Sequence, residues 1–309
     1  MSRIKEAFKN GKAFIPFITA GYPDLATTRA CILSAIENGA DLIEIGIPFS
    51  DPTAEGPVIQ TANVKALAGG VTTDGVLDFV RELRKEVTIP LVFMTYANVV
   101  FSYNPGAGSA GAGAAGAAGG ATGAAGAAGV IGAAGAASAD GAVAVGVAAG
   151  RKGGTDGFVA ACREAGIDGL ILPDVPYEER GEFEEACARE GLDLIPLIAP
   201  TSDERIARIA ACATGFIYVV SSLGVTGVRS NITTDISAIT AKIREVTDVP
   251  SAVGFGISTP EQAAGMAAQS DGAIVGSAII RLIDKYGTEA APEVGKYVKS
   301  MKDALRAPD

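Results

Sequence analysis

Two carboxylates in this sequence stand where acids are costly to keep. Glu44 lies inside the apolar run Asp41-Leu42-Ile43-Glu44-Ile45-Gly46-Ile47-Pro48. As a strand, this run puts Ile43, Ile45 and Ile47 on one face and Glu44 on the other with Leu42 and Gly46. An unpaired buried carboxylate costs several kcal/mol or takes up a proton. Two readings of Glu44 follow. It is a structural carboxylate hydrogen-bonded to backbone or hydroxyls, or it is a general acid/base with a raised pKa. The loop that follows, Phe49-Ser50-Asp51-Pro52-Thr53-Ala54-Glu55-Gly56-Pro57, carries two more acids between turn residues. Pro57 suits the first turn of a helix. Glu55 just before it is either an acid favoured by the helix dipole or a second reacting group.

Three glycine-bearing segments follow late apolar runs: Leu223-Gly224-Val225-Thr226-Gly227, Gly254-Phe255-Gly256 and Gly276-Ser277. Each brings backbone N–H groups close to a ligand. Together they suit a phosphate, held by amide dipoles and a helix N-terminus without Lys or Arg. No apolar run contains Lys or Arg, which argues against a Schiff-base lysine in a barrel interior.

The chain has no His, so Ser-His or Cys-His nucleophile pairs and His-ligated metal sites are excluded. Its net charge of −10 argues against nucleic acid as a partner. Cys31, Cys162, Cys187 and Cys212 form no CxxC pair, and all but Cys31 fall in helical patterns. They read as buried free thiols of a reducing compartment. The polar start MSRIKEAFKNGK has no apolar core of a secretory signal, and no strongly apolar run is long enough to span a membrane. The expected location is the cytoplasm.

Eight apolar runs must position these groups: 13–19, 41–48, 89–96, 169–174, 192–200, 215–222, 251–258 and 272–280. Each has strand length, and each reads as buried on both faces. Helical stripes lie between them. Val76, Phe79, Val80, Leu83 and Val87 form one, and Val294, Tyr297, Val298, Met301 and Leu305 form another. Gly39-Ala40-Asp41, Gly166-Ile167-Asp168 and Gly191-Leu192-Asp193 repeat one joint, a Gly at a helix end and an Asp at a strand start. This alternation is the signature of an α/β (β/α)8 TIM barrel. A doubly wound sheet is the rival, but Thr19-Ala20-Gly21-Tyr22-Pro23-Asp24 is not its glycine-rich turn.

Residues 106–154 differ from everything else. They hold 17 of the 40 glycines, and from Gly120 to Gly141 a Gly recurs every third residue with Ser138 the one break. Collagen shares that period but needs Pro, and none lies between Pro105 and Pro173. Gly and Ala offer little apolar area against their ordering entropy. A disordered or loosely helical excursion is expected, with a small-residue helical hairpin or an engineered segment as alternatives. The chain reads as one barrel domain over 1–309 with a low-complexity insertion at about 104–154, after the third strand.

The segments PFITAGYPD (16–24), LIEIGIPFSDPTAEGPVIQTAN (42–63), MTYANVVF (94–101), LILPDVPYEE (170–179), YVVSSLGVTG (218–227), GFGISTPEQ (254–262) and IVGSAII (274–280) together resemble the tryptophan synthase α subunit family. They run in family order and span the chain outside the Gly/Ala block. The resemblance implies a lyase of tryptophan biosynthesis that cleaves indole-3-glycerol phosphate to indole and glyceraldehyde-3-phosphate by a retro-aldol step. It implies Glu44 as acid/base at the reacting carbon and Glu55 as acceptor of the indole N–H. It places Tyr218 beside the glycerol portion and Phe17, Met94, Thr226 and Phe255 in the pocket. Gly227, Gly256, Gly276 and Ser277 match the phosphate site. No metal and no cofactor is implied in this chain. Pyridoxal phosphate is expected in a partner β subunit, within an α2β2 heterotetramer that Asn98 and the Asp51 loop would meet. Many members carry Asp where this chain has Glu55. Two rivals remain at this level. One is another phosphate-binding barrel, such as an isomerase, which would lack the IPFSDP run. The other is a catalytically impaired barrel scaffold whose insertion blocks the active-site mouth or the β-subunit interface.

Overall fold

The computed structural model describes residues 3–106, 153–220, 235–254 and 256–306. Its strands are β1 (Ala13–Thr19), β2 (Ile43–Gly46), β3 (Leu91–Met94), β4 (Gly169–Ile171), β5 (Asp193–Ile195), β6 (Leu197–Ile198), β7 (Ile217–Val220), β8 (Ser251–Gly254) and β9 (Gly272–Val275). They form one parallel sheet in the order β5-β4-β3-β2-β1-β9-β8-β7-β6. The two ends of that order are consecutive in sequence and separated by Pro196 alone. The sheet therefore closes on itself, and the architecture is a (β/α)8 barrel.

One expected strand, 192–200, is thus two. Proline has no N–H for the ladder, so the pairing breaks at Pro196. β5 pairs with β4 on one side, β6 pairs with β7 on the other, and Tyr218 N donates to Pro196 O at 2.9 Å.

The helices are α1 (Arg3–Glu6), α2 (Leu25–Glu37), α3 (Pro57–Ala68), α4 (Thr73–Leu83), α5 (Ala97–Phe101), α6 (Gly154–Ala165), α7 (Gly181–Glu190), α8 (Asp203–Ala211), α9 (Ile236–Arg244), α10 (Pro260–Ala267), α11 (Ser277–Tyr286) and α12 (Ala291–Leu305). Their starts follow the sequence. Asp24, Thr72, Ser202 and Asp235 accept from first-turn N–H groups, and Thr259 with Gln262 makes a capping box. Pro57 opens α3 as expected. Gly166 and Gly191 end α6 and α7 in the left-handed region, at φ of 92° and 69°.

Four sequence expectations shift. The run 272–280 is strand only to Val275, and Ser277 already begins α11, which buries Ile279, Ile280 and Ile283. A short apolar run fits either a strand or a buried helix face, so periodicity could not divide it. Val87 lies past the end of α4, though it is still buried. Cys31 sits in α2, and Cys212 is exposed at the end of α8, while the other three thiols are buried.

Two Asp of that repeated joint, Asp41 and Asp168, share a job at the N-terminal rim with Asp271, which precedes β9. Asp41 Oδ2 accepts from Phe14 N at 2.7 Å and from Lys302 Nζ at 2.6 Å. Asp168 Oδ2 accepts from Leu91 N at 2.9 Å and from Arg84 at 2.8 Å. Asp271 Oδ2 accepts from Ser251 N at 2.8 Å and pairs with Arg244. Each carboxylate satisfies a donor in the first two residues of a neighbouring strand and ties it to a cation from elsewhere in the chain.

Candidate active site

Parallel register places the first cluster. Phe17 is the partner of Glu44, Thr19 of Gly46, and Gly46 of Met94. Register partners on adjacent strands share a face. Phe17, Thr19, Glu44, Gly46 and Met94 therefore form one patch across β1, β2 and β3. Phe17 is seated by two glycines. A Cβ on Gly46 would lie 2.6 Å from its Cζ, and one on Gly276 would lie 3.2 Å from its Cδ1. Tyr218 on β7 is accommodated the same way, since a Cβ on Gly254 would lie 2.5 Å from its Cε1.

Glu44 is 1% exposed, and neither carboxylate oxygen has a hydrogen-bond partner among the described residues. Among the described residues, no backbone group or hydroxyl satisfies this carboxylate as the structural reading would require. Burial first, and then the charge of Glu55, pushes its pKa up to about 8. Glu55 is 3% exposed. Burial raises its pKa to about 7, against the pull of Asn63, whose Nδ2 donates to Oε2 at 2.7 Å. Two carboxylates in one field, both titrating near neutrality, are placed to exchange protons with a ligand.

Two tyrosines border them. Burial and then the Glu44 charge drive the Tyr218 phenol well above its ordinary range. Burial and then Glu55 do the same to Tyr96, whose hydroxyl accepts from Ala54 N at 3.3 Å. Asp51 is exposed and bonds to its neighbour Ser50 at 2.5 Å, so it stands apart from the pair.

Gly276 is the N-cap of α11 and Ser277 its first residue, with no side chain capping that end. Gly276 has no side chain to cap the first N–H groups of α11, and a helix N-terminus of this kind suits an anion. Gly256 is buried, at a φ of +80° that favours glycine. Thr226, Gly227 and Phe255 lie outside the described residues. At the C-terminal ends of β4, β5 and β6 there is a cavity of about 590 Å³ walled in part by Leu172, Ile195 and Leu197. No group of three Cys, Asp or Glu side chains among the described residues is arranged to hold a metal ion. None of the described helices is long and apolar enough to cross a membrane.

Sequence reasoning did not single out Asn63, Tyr96 or the hydroxyl of Thr19, which is buried with no hydrogen-bond partner among the described residues. Asn63 had a signal: it falls eight positions after Glu55, on the helix that Pro57 opens, and helical spacing carries it back to the loop. Gly46 and Gly254 are legible only once ring positions are known.

The family profile described as Tryptophan synthase alpha chain matches residues 3–119 and 151–306. The tryptophan synthase alpha chain of Lacticaseibacillus casei is 40% identical over 307 residues, covering 99% of this chain and 97% of that one. That of Lactiplantibacillus plantarum is 42% identical over 306 residues, at 99% and 97% coverage. Among solved structures, tryptophan synthase subunit alpha from Legionella pneumophila superposes with a TM-score of 0.75 at 32% identity, covering 99% of this chain and 98% of that one. A chain of the tryptophan synthase complex from Pyrococcus furiosus gives 0.70 at 28% identity, covering 94% and 98%. A profile match over most of the sequence, with full-length relatives near 40% identity, assigns the chain: it belongs to the tryptophan synthase alpha chain family.

Proposed function

We propose that this chain cleaves indole-3-glycerol phosphate to indole and glyceraldehyde-3-phosphate, with Glu44 as the acid/base and Glu55 as the acceptor of the indole N–H. The observation that carries this reading is Glu44 itself, a buried carboxylate with no hydrogen-bond partner among the described residues and a pKa raised to about 8. At neutral pH it is mostly protonated. It gives that proton to indole C3, and the ring nitrogen becomes cationic. Glu55, ionised in part at pH 7, stabilises that charge. The Glu44 carboxylate then takes the proton of the glycerol hydroxyl. The C–C bond breaks, its electron pair restores the indole ring, and the aldehyde leaves. Glu44 ends as it began, protonated.

Binding follows the same map. Phe17, Met94 and Tyr218 border the reacting groups, with Thr226 and Phe255 assigned by family resemblance. Apolar walls suit a flat indole. The phosphate goes to the amides at Gly276 and Ser277, with Gly256 and Gly227. The partner is a β subunit carrying pyridoxal phosphate, in an α2β2 assembly, and the location is the cytoplasm. The body is one barrel domain, and about 104–154 is an insertion into it. The family profile's silence over 120–150 supports the insertion.

Indole release from indole-3-glycerol phosphate tests the reaction. The expected result is activity in the parent and a loss of at least about 10²-fold in Glu44→Gln. Activity that survives Glu44→Gln overturns the mechanism. Co-purification with a β subunit, and a rise in indole turnover on mixing, tests the partner.

A further inference from the structure

We infer that Asn63 is a positioning residue for Glu55: it holds the carboxylate by Oε2 and so leaves Oε1 as the oxygen that meets the substrate. This rests on the reading of Glu55 as the acceptor of the substrate's N–H.

Helix α3 grips Glu55 at two points. Asn63 Nδ2 donates to Oε2 at 2.7 Å, and Gln60 Nε2 donates to the Glu55 backbone carbonyl at 2.8 Å. A third tie holds the residue before it, because Ala54 N donates to the Tyr96 hydroxyl at 3.3 Å. Asn63 is 2% exposed and Glu55 3%, so their bond forms out of water, where it is stronger and dearer to break. A glutamate has one more rotatable bond than an aspartate. Anchoring one oxygen removes that freedom at the carboxylate, where misplacement by about 1 Å is costly in rate.

The same bond governs charge. Glu44 from β2, Tyr96 from the segment after β3, and Asn63 from α3 are the described groups whose fields or hydrogen bonds involve Glu55. Of these, Asn63 is the neutral donor that favours the ionised carboxylate, and it opposes the effect of burial.

The test uses Asn63→Leu, which keeps the volume and removes the donor, and Asn63→Ser, which is the milder change should the first fail to fold. Two readouts are taken. One is the titration of Glu55 in the resting full-length chain, followed by carboxyl-carbon NMR with Glu55→Gln assigning the signal. The other is the pH profile of kcat for indole release. The Glu55 titration is expected to move up by roughly half a unit or more in both variants. The rising limb of the kcat profile moves with it, and kcat at pH 7 falls about fivefold or more while KM changes less. In a Glu55→Gln background, Asn63→Leu changes kcat less than about twofold. An unmoved Glu55 titration, or a loss of kcat that is the same with and without Glu55, overturns the inference. A chain that releases no indole at all overturns the proposed reaction instead, and the resting titration still decides the role of Asn63.

Discussion

Tyr103 and Gly154 are joined by a hydrogen bond, Gly154 N to Tyr103 O at 2.7 Å, although the whole of 104–153 lies between them. The near end of that stretch is pinned as well. The Tyr103 hydroxyl and Gly106 N both donate to Asp74, at 3.0 Å each. Tyr103 also packs edge-on to Phe158 of α6. The barrel therefore holds the two ends of the Gly/Ala-rich stretch together by contacts of its own.

That geometry predicts the outcome of a deletion. Removing 107–152 and joining Gly106 to Gly153 leaves each of these contacts available. Shortening a closed loop costs nothing in closure entropy. The deleted chain is expected to fold with a Tm no lower than the parent, by thermal melting followed in the far ultraviolet. A fall of about 10 °C or more would mean that the stretch contributes to the barrel's stability.

Much of this was legible beforehand, and the failures have physical causes. The eight-fold alternation, the glycine-ended helices and the buried Glu44 all follow from local rules of period, capping and burial. The division of 192–200 at Pro196 was also local, and a ladder argument applied to that proline would have found it. The start of α11 at Ser277 was not local, because an apolar run bordering a glycine fits two periods. Helical spacing from Pro57 carries Asn63 back to the Glu55 loop, whereas Tyr96 meets that loop only across elements, which no spacing within one element encodes. Gly46 and Gly254 matter for what leans on them, Phe17 and Tyr218, and that depends on closure of the barrel.

Glu44 makes the stability of the chain depend on pH. Its native pKa, about 8, lies above the ordinary glutamate value of 4.5. A group raised in the native state favours folding fully below the unfolded value and loses that advantage as pH rises through the native one. The penalty thus builds between about pH 4.5 and 8. Glu44→Gln, neutral at every pH, removes it. The Tm of Glu44→Gln minus that of the parent should be small near pH 5 and grow positive toward pH 8. A difference that is flat with pH would show that Glu44 ionises as freely folded as unfolded.

Gly254 is expected to tolerate no side chain. A Cβ there would lie 2.5 Å from Tyr218 Cε1 and 2.6 Å from Cζ, so the ring must move. Gly254→Ala should cost about 1–3 kcal/mol by overpacking. It should also reduce kcat/KM for indole release by more than a stability loss explains, because the displaced ring is one that feels the Glu44 charge. The paired variant Gly254→Ala with Tyr218→Phe separates the effects. The ring still clashes, so stability stays low, while any part played by the hydroxyl is already gone. Equal kcat/KM in Gly254→Ala and the parent would remove Tyr218 placement from the argument.

Asp168 offers the opposite case, a buried carboxylate that belongs to the fold and not to the chemistry. It sits at the N-terminal rim, accepts from Leu91 N, and pairs with Arg84 at 2.8 Å and with Arg3 at 2.8 Å. In barrels of this kind the reacting groups gather toward the other end. Asp168→Ala removes the acceptor of a strand N–H and strands the largely buried Arg84, at a cost of about 3 kcal/mol or more. Asp168→Asn keeps an oxygen for Leu91 N but gives up the charge, so it should lose less. Both variants should retain kcat and KM within about twofold at temperatures where they are folded, since Asp168 bonds to Leu91 N, Arg84 and Arg3 and not to Glu44 or Glu55. Urea denaturation midpoints and indole-release kinetics on the same preparations measure the two effects separately. A kinetic loss in Asp168→Asn larger than its shift in midpoint would mean that the rim and the candidate site are coupled through the strands.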